Sequence, residues 1–197
     1  SYNKGSMVLH MLRKKLGDAV FFQGLKDYLA DPALAYGYAK TEDLIRIMED
    51  ASGEDLNEFF DDWIYGEGHP RYTIQWNQAN GQANLNLKIS QTQSHPSVSF
   101  FEVPVPLRLI GTQGEMLDIV LNNTVNDQTF QPAVGFTVQS VQFDPEKDII
   151  SRSNIVTLAT DDFALEQQLV LYPNPTSGII NFQKPEALRV NRIKIYN

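Results

Sequence analysis

The sequence predicts a multidomain α plus β chain: a short helical region, an antiparallel β-sandwich, and the start of a further small β unit. Three observations carry this. Apolar residues recur at three- and four-residue steps as far as Trp63, then at every second residue from Arg71 onward. Nine of the ten prolines lie beyond residue 68. Charge divides the same way: residues 1–68 hold 7 basic and 13 acidic residues (net −6), residues 69–197 hold 9 and 11 (net −2). A shift of this kind marks a domain boundary, and Gly66-Glu67-Gly68-His69-Pro70 supplies the break.

Four helices are expected in residues 1–68. Met7, Val8, Met11, Leu12 and Leu16 put an apolar stripe on a helix from about Lys4 to Leu16. Gly17-Asp18 ends it and caps a second helix, whose buried stripe is Val20, Phe21, Leu25, Tyr28 and Leu29, and Asp31-Pro32 closes that one. Thr41 is the expected N-cap of a third, with Glu42 and Asp43 in the first turn where the helix dipole favours negative charge. Leu44, Ile45, Ile47 and Met48 then face inward up to Ser52-Gly53. Asp55 and Glu58 have capping-box spacing ahead of Leu56, Phe59, Phe60 and Trp63. Four helices this short make a thin domain, so they read as part of a larger helical body.

Strand alternation then takes over. Tyr72, Ile74 and Trp76 alternate with polar residues, Gln78-Ala79-Asn80-Gly81 offers a hairpin turn, and Leu85, Leu87 and Ile89 alternate again. Phe101 to Leu109 continues through Pro104 and Pro106, which cannot donate to a ladder and so predict an edge strand or outward-facing positions. Met116–Leu121 and Phe136–Val141 follow, and a run of about six or seven short strands at this spacing reads as a small sandwich over residues 69–158. Residues 159–168 read as a linker. In residues 169–197, Leu169–Tyr172 and Ile179–Phe182 are strands about a turn, and Ile193–Tyr196 alternates once more. The last fifteen residues carry four basic side chains and one acid, too small a patch to imply nucleic acid.

Composition excludes several classes. The chain has 197 residues, 42% of them hydrophobic and 20% charged, which suits a folded core rather than disorder. A net charge of −8 does not suit a protein that coats nucleic acid or an anionic membrane. No run of about eighteen apolar residues spans a bilayer. With no cysteine there is no disulfide framework, thiolate metal site or cysteine nucleophile. His10, His69 and His95 are the only histidines, and none has the spacing of a zinc motif. His10 is expected on a helix surface and the other two in turns before proline. Asn122-Asn123-Thr124 fits a glycosylation sequon, a match common by chance. Acidic clusters at Asp50, Glu54 and Asp55 and at Asp61 and Asp62 read as solvated helix faces and caps.

The first stretch is the informative one. Tyr2-Asn3-Lys4-Gly5 opens a helix, and it resembles the Tyr-x-Lys-Gly segment of the M1 family zinc aminopeptidases, the aminopeptidase N-like gluzincins. The likeness runs on through Leu16-Gly17-Asp18, Phe21-Phe22, Thr41-Glu42-Asp43-Leu44, Ser52-Gly53, Phe59-Phe60, Trp63-Ile64 and Tyr72. This resemblance implies that residues 1–68 are the C-terminal helical part of a catalytic domain, followed by the family's β-sandwich domain. It also implies that Tyr2 is catalytic, its phenol donating a hydrogen bond to the oxyanion of the tetrahedral intermediate opposite the zinc. A phenol suits that task as a neutral, rigid, far-reaching donor. Lys4 and Gly5 are expected to be structural, a helix-start residue and a close-packing position. The family's zinc motif, its distant Glu ligand and its substrate-anchoring segment lie upstream, so Zn2+ belongs to the parent enzyme and no metal is expected in this chain. The chain therefore reads as the C-terminal fragment of a secreted aminopeptidase, cut at both ends and inactive by itself.

Leu171-Tyr172-Pro173-Asn174-Pro175-Thr176-Ser177-Gly178, with the strand after it, resembles the C-terminal sorting domain of type IX secretion substrates of Bacteroidetes. That likeness implies the secretion machinery as a partner through residues 169–197, and a secreted or outer-membrane-surface location in a Gram-negative bacterium. The parent's other partner is a peptide substrate. Two other readings stand beside these: a non-catalytic scaffold of the same fold, and a surface-adhesion sandwich module. Exposed coplanar aromatics on one sheet face would favour the adhesion reading; Trp76, Phe100 and Phe101 are the only candidates, and alternation puts most of them in the core.

Overall fold

The computed structural model describes residues 2–79 and 83–159 with their side chains, and the backbone of residues 170–172 and 181–183. Two compact units result, residues 1–157 and 158–197.

The first unit opens with α1 (Tyr2–Leu16), α2 (Asp18–Ala30), α3 (Thr41–Ser52) and α4 (Asn57–Phe60), which runs into a π-helical turn, Asp61–Tyr65. The α1 stripe buries Val8, Met11 and Leu12, while Arg13, Lys14 and Lys15 oppose the negative end of its dipole. Gly17, at φ 79°, turns the chain straight into α2. On α2 Phe21 is buried but Leu29 is 78% exposed, so the apolar stripe is shorter than its spacing predicts. Gly24 lets α2 approach α3, since a Cβ there would lie 2.6 Å from Met48 Sδ.

Two caps differ from expectation. Lys40 rather than Thr41 is the N-cap of α3, and Asp43 Oδ2 accepts its backbone N–H at 2.9 Å. The box between Asp55 and Glu58 does not form. Instead Asp55 accepts the Asn57 N–H at 2.9 Å, and Glu49 reaches across to accept the Leu56 N–H at 2.8 Å. A carboxylate from a packed neighbouring helix satisfies the orphan donor that a local cap would have served.

Seven strands follow: β1 (Pro70–Asn77), β2 (Asn86–Gln93), β3 (Val103–Gly111), β4 (Met116–Asn123), β5 (Gln128–Phe130), β6 (Val138–Phe143) and β7 (Ile155–Leu158). They form a four-stranded sheet in the order β5-β2-β1-β7 and a three-stranded sheet in the order β4-β3-β6. In the β1–β2 ladder Ile74 faces Ile89 and Trp76 faces Leu87, so the alternating apolar residues share one side. The α plus β class is the one expected.

The proline-bearing strand β3 is central, not an edge. It pairs with β4 from Val103 to Ile110, but β6 joins only from Leu107 onward. Pro106 O accepts the Asp144 N–H at 2.9 Å, which shows that the donor-less side of Pro104 and Pro106 faces the stretch where β6 is missing. Proline is tolerated in a central strand here because its half of the strand has only one partner.

One buried cluster joins helices and both sheets. It includes Val8, Met11, Leu12 and Trp63 from the helices, Tyr72, Ile74 and Leu87 from one sheet, and Val105, Leu107 and Leu109 from the other. The Trp63 ring lies 4.7 Å from that of Phe101, and buried Gln91 fixes Phe101 by accepting its N–H at 2.9 Å and donating to its O at 3.1 Å.

In the second unit, β8 (Val170–Tyr172) pairs antiparallel with β9 (Asn181–Gln183), Leu171 opposite Phe182. The hairpin turn at 80–82, the linker from 160, the turn at 173–178 and the final strand expected at 193–196 lie outside the described residues.

Candidate functional site

Tyr2 stands at the first residue of α1, 95% exposed, and its hydroxyl makes no hydrogen bond to any described residue. Two residues on, Lys4 Nζ donates to Gly66 O at 3.3 Å, which ties the start of α1 to the end of the π-helical turn. Gly66 cannot be larger, because a Cβ there would meet Asp62 O at 2.7 Å. Gly5, expected to be a close-packing position, has nothing within 4 Å of where its Cβ would be among the described residues.

His10 is not a free surface histidine. Its Nε2 lies 2.7 Å from Asp148 Oδ1, and Lys14 Nζ, one helical turn on, lies 3.0 Å from Asp148 Oδ2. The Asp148 side chain is 11% exposed. Burial works to raise its carboxyl, but the hydrogen bonds from His10 and Lys14 win and hold it below the usual carboxylate range. Asp144 holds the turn behind it, accepting the Asp148 N–H at 2.6 Å and the Ile149 N–H at 3.0 Å. Nothing in the sequence signals this arrangement: Asp148 is 138 residues from His10. His95 sits at a bend before Pro96, whereas His69 lies in the irregular stretch that leads straight into β1; Nδ1 of each is near a serine Oγ, Ser94 at 3.1 Å from His69 and Ser97 at 3.0 Å from His95.

The acidic pair at 61 and 62 divides. Asp61 is exposed, but Asp62 is partly buried and accepts the Glu102 N–H at 3.3 Å. Burial, together with the charges of Glu58, Glu102 and Asp61, pushes its carboxyl up to about 6. No group of three or more His, Cys, Asp or Glu among the described residues is arranged to hold a metal ion. Trp76 and Phe101 are in the core, at 6% and 1% exposure, so the aromatic platform of an adhesion surface is not formed by the three residues named for it.

The helix that carries Tyr2 belongs to a stretch with a likeness to known proteins. Residues 1–63 match the Peptidase family M1 domain. Among similar proteins, Aminopeptidase 2, mitochondrial, of Saccharomyces cerevisiae is 31% identical over 144 residues, 72% of this chain and 15% of the yeast protein. Aminopeptidase N of Lactococcus lactis is 41% identical over 69 residues, 35% of this chain and 8% of that protein. Among solved structures, Legionella pneumophila aminopeptidase A in complex with aspartic acid superposes with a TM-score of 0.63 at 15% identity. That match covers 80% of this chain and 18% of the Legionella chain, and shows a shared fold. The chain thus spans less than a fifth of the length of each of these relatives. The yeast match, at 144 residues, runs well past residue 63, so the M1-like stretch carries strands as well as helices.

Proposed function

We propose that this chain is the C-terminal part of a secreted M1 zinc aminopeptidase that releases N-terminal residues from peptides. Residues 1–68 supply the end of its catalytic domain, residues 69–158 its β-sandwich, and residues 169–197 the beginning of a type IX sorting domain. The observation that carries this reading is the position of Tyr2. Tyr2 lies in the segment that matches the M1 domain, on a helix whose Val8, Met11 and Leu12 are buried. A phenol donor placed on a rigid element stabilises charge as it develops on a substrate carbonyl oxygen.

The described residues do not fit a zinc ion. On this reading the metal's ligands come from other parts of the polypeptide, and the chain by itself is inactive. In the whole enzyme, Tyr2→Phe lowers the turnover number about 100–1,000-fold with a much smaller change in the Michaelis constant. An unchanged turnover number removes Tyr2 from the mechanism. Release of an amino acid from an aminoacyl anilide by residues 1–197 alone, with zinc supplied, would overturn the fragment reading. For the sorting role, deleting residues 169 onward should strand the enzyme inside the cell, and normal export of the deleted form sinks that part.

A further inference from the structure

We propose that Asp148 is a positioning residue for Tyr2, acting through His10 and Lys14 to set the axis of α1. This role presupposes that Tyr2 is the oxyanion donor. Tyr2 makes no hydrogen bond to a described residue, so what the described residues contribute to its placement is the tilt, slide and rotation of its helix. The buried contacts of Val8, Met11 and Leu12 hold α1 down but are non-directional, so they resist lifting better than they resist sliding or turning. Asp148 supplies direction. Its two oxygens engage His10 and Lys14, side chains on successive turns of the same helix face, at 2.7 and 3.0 Å. Two fixed points on one rod stop rotation and slip together, which a single contact does not do.

The clamp is itself rigid. Asp144 and Lys147 take left-handed backbone angles, φ 46° and 60°, which non-glycine residues hold only when their surroundings impose them. The two backbone N–H bonds to the Asp144 carboxylate impose them here, and the Ile150 N–H reaches Met11 Sδ at 3.5 Å just beyond. At the other end of the rod, Lys4 on Gly66 O is an exposed single contact. His10 lies eight residues from Tyr2, about 12 Å along the helix axis. A tilt of about 5° about the clamp moves the start of the helix by about 1 Å, and a misplacement of that size costs up to about 100-fold in rate.

The test is a double-mutant cycle on the turnover number of the whole enzyme, with an aminoacyl anilide as substrate. Asp148→Ala should lower turnover about tenfold with the Michaelis constant within about twofold, and should cause no further loss when Tyr2 is already Phe. His10→Ala should match it. His10→Gln, whose Nε2 reaches close to the imidazole Nε2, should retain turnover within about threefold of the wild type. Equal losses in the presence and absence of the Tyr2 hydroxyl overturn the proposal, as does His10→Gln being no better than His10→Ala. The His10 pair, at a one-third-exposed side chain, carries the test if Asp148→Ala does not fold. If Tyr2→Phe leaves turnover unchanged, the donor reading falls and this role with it. If Tyr2→Phe is crippled while Asp148→Ala and His10→Ala are not, only the positioning role falls.

Discussion

Asp62 and Asp148 show how two carboxylates of one fold come to oppose each other in their effect on stability. Asp62 sits partly buried among Glu58, Asp61 and Glu102, and its folded value of about 6 lies above its ordinary 3.8. Between those values the unfolded chain gives up a proton that the folded chain keeps, so Asp62 destabilises the fold as pH rises from about 4 to 6. Asp62→Asn keeps an acceptor for the Glu102 N–H and should stabilise the protein at pH 7 by about 1–2 kcal/mol, discounted for partial exposure, and by nothing at pH 4. Thermal melts at the two pH values read this out; equal shifts at both would show that charge is not the cause. Asp148 has the reverse sign. Its folded value is depressed, so its contribution is present above the usual carboxylate range and is lost as pH falls through it. Adjacency in sequence made Asp61 and Asp62 look alike as solvated acids. What separates them is the Glu102 backbone, 40 residues away, arriving over one of them.

At the scale of the element, the helix and strand patterns were legible because amphipathic spacing reports burial directly, as the Val8, Met11, Leu12 face and the alternating β3 side chains show. The ends and edges were not legible. Glu49 capping Leu56 and the central position of a proline-bearing strand both depend on which neighbour lies alongside, and periodicity holds no record of that. Gly66 is a similar case: read as a breaker, it is also the point where the π-helical turn, Val98 and the Lys4 hydrogen bond converge. Gly66→Ala should cost about 1–3 kcal/mol, because Asp62 O is backbone and cannot move aside. Gln91→Ala should cost about 2–4 kcal/mol by leaving the buried Phe101 N–H and C=O without partners. Chemical denaturation of each variant measures both figures.

For the molecule as a whole, the composition break at residue 68 coincides with a change of secondary structure, but the core runs across it. Trp63 stacks near Phe101, and Met11 and Val105 belong to the same buried cluster. Residues 1–68 expressed alone would expose Trp63, Phe60, Met11 and Leu12, and should give a poorly dispersed amide spectrum. A well-dispersed spectrum would show that the helices need no sheet. Trp63→Ala should cost about 3–5 kcal/mol and lower the protection of β1 and β3 amides together with those of α1, seen by hydrogen exchange.

By itself the sequence determined the order of the four helices and of the longer strands, and the location of most apolar faces. Each of these is written in spacing or in a local string of residues. Only the tertiary structure decided that His10 is paired, and that Asp144 and Asp148 form the support beneath α1. The physical reason is range. Periodicity and capping act within a few residues, whereas the clamp on α1 is made by groups 138 residues apart, and folding alone brings them within 2.7 Å.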